Sequence, residues 1–106
     1  MSNSFRRFEV LLPLKFNDGQ PVPDELVGET LVELRQKFRA LSCETQTIHG
    51  IWEYEGRGYR DQSMRLFVDV EDSLEHRRFF EEYKERLKAR FKQLDLWITS
   101  YPVDVL

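Results

Sequence analysis

The sequence predicts an α+β fold in the order β-α-β-β-α-β: a four-stranded antiparallel sheet with two helices on one face. Three observations predict it. Two segments carry apolar residues at helical spacing, four carry strand-like alternation or β-branched and aromatic residues, and turn residues separate them. Short connections in that order describe two layers packed around one core.

Residues 5–16 alternate, with Phe8, Val10, Leu12, Leu14 and Phe16 on one parity and Arg7, Glu9 and Lys15 on the other. Pro13 has no amide hydrogen for a ladder. Regular pairing is therefore expected to end near Leu12, or the Pro13 nitrogen must face an unpaired side. Asn17-Asp18-Gly19-Gln20-Pro21 is a concentrated turn signal. Pro23, Asp24 and Glu25 then mark a helix start, a rigid first-turn residue followed by acids that complement the helix dipole. Val27, Leu31, Leu34, Phe38 and Leu41 form one stripe toward the sheet.

Residues 45–54 and 59–70 read as antiparallel strands joined through Glu55-Gly56-Arg57-Gly58. Asp72 with Glu75 resembles a capping box for a second helix, whose stripe is Phe80, Tyr83, Leu87, Phe91 and Leu94. The last strand is expected from Leu96 to Tyr101, limited by Pro102. This order resembles the ferredoxin-like sandwich over essentially the whole chain. Through Gly50-Ile51-Trp52, Gly56, Tyr59 and Asp61 the chain is also similar to a group of small uncharacterised bacterial proteins. Neither resemblance implies an activity, because one fold hosts many functions.

The 106 residues are enough for a single domain over 1–106 with its own core, and 41% are hydrophobic, 33% charged and 13% aromatic. The single cysteine, Cys43, excludes an intrachain disulfide, and the expected location is the reducing cytoplasm. No apolar run approaches the ~20 residues of a membrane span, so no membrane partner is expected. A net charge of −3 provides no global attraction for nucleic acid.

With one sheet face under the helices, function is expected on the other, and hairpin register decides what it shows. A two-residue turn at Gly56-Arg57 puts Ile48, Trp52 and Tyr54 with Tyr59, Asp61, Arg65 and Phe67, and leaves His49 on the helix side as a buried, hydrogen-bonded residue. A three-residue loop at Gly56-Arg57-Gly58 instead puts His49, Ile51 and Glu53 with Asp61, Arg65 and Phe67. The sequence leaves both open. In either register Met64, Leu66, Val68 and Val70 are the core parity of the third strand.

Ile51, Phe67, Trp97 and Tyr101 are the candidate interface or ligand-binding residues, because a contiguous apolar patch on an open face marks a contact surface. The leading expectation is a non-catalytic binding or interaction module, homodimeric through that face and compatible with a small-molecule ligand. The alternative is a small cofactor-free enzyme with a sheet-face pocket: His49 as base, Asp61 to orient it, Arg65 and Tyr59 to hold an anionic oxygen. A second alternative is weak nucleic-acid contact by Lys84, Arg86, Lys88, Arg90 and Lys92. Glu81, Glu82 and Glu85 interleave with that row, with pairs such as Glu82 and Arg86, so a solvated helix face is the better reading. Arg57-Gly58-Tyr59 does not extend into an RNA-recognition motif, since Arg60-Asp61-Gln62-Ser63 replaces its core. Cys43, His49 and His76 lack metal-ligand spacing, so no metal and no cofactor are expected. Cys43 follows a helix C-terminus, which disfavours a reactive thiolate.

Overall fold

The computed structural model describes residues 4–106. β1 runs Phe5–Pro13, α1 Asp24–Phe38, β2 Ser42–Cys43, β3 Ile48–Tyr54, β4 Arg57–Glu71, α2 Leu74–Arg90 and β5 Ile98–Val103. The sheet is antiparallel in the order β2-β4-β1-β5, and β3 pairs with the first part of β4. Alternation in β1 buries Phe8, Val10 and Leu12 beneath the helices, and β4 adds Leu66, Val68 and Val70. Pro13 still pairs with Ser63, and Leu14 N–H donates to Gln62 O at 2.8 Å just beyond it, so the proline nitrogen lies on the β5 side, past the end of that strand's pairing.

There are five strands instead of the four expected: Ser42–Cys43 pairs ahead of the expected second strand at 45–54, which itself begins only at Ile48. Glu44 donates its amide to Arg65, whereas Ile48 pairs with Ser63, so four steps along this edge match two along β4. The two extra residues form an irregular bulge. An even excess preserves parity, so β2 and β3 present the same faces on both sides of the break.

α1 begins after Pro23 and carries Asp24 and Glu25 in its first turn. It ends where Arg39 turns left-handed, at φ 67°. Leu34 is fully buried, while Val27, Leu31, Phe38 and Leu41 pack at the margin of the core. The cap of α2 lies one residue later than the capping box suggests. Ser73 Oγ accepts from His76 N at 3.1 Å, and Asp72 instead receives Arg6 and Arg77. The Arg6 guanidinium, 3.2 Å away, holds the Asp72 carboxyl below the usual range.

Phe80, Tyr83, Leu87 and Phe91 are buried in line with the expected stripe, but Leu94 is 90% exposed. The helix ends at Arg90 and Lys92 adopts φ 54°, so the helical period no longer applies at residue 94. β5 starts two residues later than expected and includes Pro102, which an edge strand tolerates.

On the outer side of the helices, Glu33 joins α1 to α2. Its carboxylate accepts from Arg90 Nη1 at 2.8 Å, Arg90 Nη2 at 2.9 Å, Tyr83 Oη at 2.7 Å and Arg86 Nη2 at 3.1 Å. The bidentate arginine lowers the pKa of Glu33, and burial with the acidic acceptor raises that of Tyr83.

Candidate functional site: the open sheet face and its hairpin arm

β4 is longer than its neighbour. β1 covers it only from Ser63 onward, with Leu14 N–H reaching Gln62 O just beyond, so residues 57–61 pair with β3 alone. This hairpin forms an arm with water on both faces: Ile51 is 79% exposed and Trp52 on the opposite face 47%. Its tip is a two-residue turn with Glu55 at φ 51° and Gly56 at φ 76°, and Tyr54 pairs with Arg57. Two successive positive φ values define a type I′ turn, whose twist matches the flanking strands.

That turn differs from both expected loops. Its parity is that of the two-residue alternative, because the pairing is displaced by two residues. Trp52 and Tyr54 therefore share the open face with Tyr59, Asp61, Arg65 and Phe67. His49 pairs with Gln62 on the helix-side parity, yet it is exposed instead of buried, because the helices do not reach the arm. Ile51 follows the same parity and is exposed for the same reason.

On the open side of the arm, Gly50 pairs with Asp61 and Trp52 with Tyr59. The Trp52 and Tyr59 rings stack at 4.5 Å between centroids, 16° from parallel. Trp52 Nε1 donates to Asp61 Oδ2 at 3.1 Å. The carboxylate lies against the Gly50 backbone, where a Cβ would overlap Oδ1 and approach Cγ to 3.0 Å. Glycine is needed here for close approach, and its φ is ordinary.

The root of the face is charged instead of apolar. Arg7 Nε and Nη2 donate to the two Asp69 oxygens at 2.7 and 2.9 Å. Asp69, with help from Tyr101, raises the Arg7 pKa further. The same guanidinium lies 4.2 Å from the Phe67 ring centroid. Arg65 donates to Glu9 at 3.2 Å and also to Glu44, and Tyr101 Oη donates to Glu9 at 2.7 Å. Phe67, expected as an open apolar residue, is thus half-buried under arginine. Trp97 and Tyr101 are exposed on β5 and its approach.

His49, Tyr59, Asp61 and Arg65 do not converge. His49 occupies the opposite face, Tyr59 and Asp61 engage Trp52, and Arg65 engages Glu9 and Glu44. The charged network was missed from sequence. Arg7 and Glu9 alternate visibly with the core residues, but their partners Asp69 and Arg65 lie about 60 residues away and depend on register.

A shallow depression of about 420 Å³ lies along α1, lined by Leu31, Val32, Arg35, Arg39, Ala40 and Leu41, away from the open face. Among the described residues, no three or more His, Cys, Asp or Glu side chains are grouped to hold a metal ion. No described helix is long and apolar enough to cross a membrane. On α2, Lys84 pairs with Asp95, Lys88 with Glu85, and Arg86 and Arg90 with Glu33. Arg86 thus binds across to α1 and not to Glu82.

No protein-family profile and no curated protein matches the sequence. Solved structures share the fold. A phage SAM lyase in complex with S-methyl-5′-thioadenosine superposes with a TM-score of 0.66 at 14% identity, covering 99% of this chain and 92% of that one. CutA1 from Oryza sativa gives 0.60 at 16% identity, covering 98% and 84%. The divalent cation tolerance protein CutA1 from Thermus thermophilus gives 0.59 at 18%, covering 93% and 84%. The chain is therefore a ferredoxin-like α+β protein with an antiparallel sheet. These identities establish the fold alone.

Proposed function

We propose that this chain is a non-catalytic interaction module, one domain over 1–106, which associates with a second copy of itself through the open sheet face and the arm. The observation that supports this reading is the placement of exposed large apolar side chains. Ile51, Trp52 and Tyr54 lie on the arm, and Trp97 and Tyr101 lie at the β5 margin. Apolar surface left in water favours association, and patches larger than a few hundred Å² mark contact surfaces. Phe67 contributes beneath Arg7 and Arg65, which offer flat guanidinium faces to a partner. An enzymatic reading needs His49 beside Asp61, and the two are on opposite faces of the arm.

Light scattering at micromolar concentration tests it. Twice the monomer mass is expected, with dissociation on Trp52→Ala or Trp97→Ala and unchanged far-UV circular dichroism. A monomer mass up to the highest soluble concentration overturns it.

A further inference from the structure

Glu9, Glu44 and Asp69 on the open face each have a guanidinium partner from the same chain. Asp61 and Glu71, on the same parity, have no cation within ion-pair distance among the described residues. Of these two, Asp61 alone is built into an ordered site. Trp52 Nε1 occupies its Oδ2, Gly50 gives it a flat seat, and the stacked Trp52 and Tyr59 rings stand beside it. Oδ1 has no hydrogen-bond donor from the described residues. Arg65, four residues further along the same face, is engaged by Glu9 and Glu44.

A carboxylate with a spare oxygen beside an aromatic face is complementary to one class of ligand. A cation satisfies the carboxylate, and a flat delocalised cation also stacks on indole or phenol. The inner faces of the two rings cover each other, so each retains only its outer face. Such geometry fits a slim planar group better than a bulky quaternary ammonium. We infer that the Gly50, Trp52, Tyr59 and Asp61 cluster is a receptor for a guanidinium group, carried either by an arginine of a second copy of this chain or by a free small molecule. The second-copy source rests on the self-association proposed above; binding of a free guanidinium does not.

The experiment uses the full chain with Trp97→Phe, leaving Trp52 as the only indole. Titration with agmatine is expected to change Trp52 emission saturably, with a dissociation constant on the order of millimolar for an exposed site of this kind. Asp61→Asn preserves an acceptor for the indole and removes the charge, and is expected to weaken binding about fivefold. Amide shifts of residues 50 and 61 in a ¹⁵N correlation spectrum provide a second readout that quenching artefacts do not affect.

In parallel, light scattering compares the parent with Asp61→Asn. Weaker self-association in the variant identifies the second copy as the source. Agmatine binding with unchanged association identifies a free cation. No saturable agmatine response together with unchanged association in Asp61→Asn overturns the inference, and the self-association reading then stands or falls on its own measurement.

Discussion

Gly50 and Asp61 face each other across the arm so closely that the Asp61 carboxylate fills the place of a residue-50 side chain. That arrangement makes the two positions energetically dependent. Gly50→Ala forces the Asp61 side chain to rotate away and breaks its bond from Trp52. Alanine alone suits a strand better than glycine, so the single substitution mixes two effects of opposite sign. A double-mutant cycle with Asp61→Ala separates them. The expected coupling is about 1 kcal/mol, with Gly50→Ala more favourable once Asp61 is truncated. Urea unfolding measures it, and additive effects would contradict the packing.

The Glu33 cluster sets a pH dependence. Arg90 lowers the folded-state pKa of Glu33 below its value in the unfolded chain. The contribution is therefore fully present above the unfolded carboxylate value of about 4.3 and is lost as pH falls through the lower folded value. Glu33→Gln is expected to cost about 1 kcal/mol near neutrality, a figure discounted for the partial exposure of the group. Its penalty relative to the parent should shrink as the pH drops below about 4. Thermal melts of both proteins from neutral to acid pH check this; a penalty independent of pH would remove the ionic explanation.

The start of α2 distinguishes two adjacent side chains. Ser73 satisfies the His76 amide, so Ser73→Ala is expected to lower stability by about 1 kcal/mol. Asp72→Asn should leave that cap in place. Its cost should appear instead as a loss of stability that salt reduces, since the Arg6 and Arg77 pairs are partly solvated. Denaturant midpoints in low and high salt discriminate the two.

Phe91 and Leu94 occupy equivalent places in the sequence pattern and opposite environments in the fold. Phe91 has no exposed surface, whereas Leu94 is almost wholly in water. Phe91→Ala should cost roughly 3–5 kcal/mol. Leu94→Ala should lie within about 0.5 kcal/mol of the parent. A large effect at 94 would mean that another chain covers it.

Local periodicity was enough to read much of this protein. The order of elements, the buried parity of Leu66, Val68 and Val70 and the stripe from Phe80 to Phe91 all follow from spacing, because each depends on residues a few positions apart. Parity says which side of a strand a residue takes, but not whether anything covers that side. Coverage came only with tertiary structure: β1 stops at Pro13 while β4 runs well past it, so His49, which the two-residue register would bury, is in water on the helix-side face, and Ile51, expected on the open face, is exposed there too. The same long-range register brings Arg7 to Asp69 and Arg65 to Glu9. It surrounds Phe67 with charge and leaves Trp52 and Tyr54 on the arm, with Trp97 and Tyr101 at the β5 margin, as the exposed aromatics.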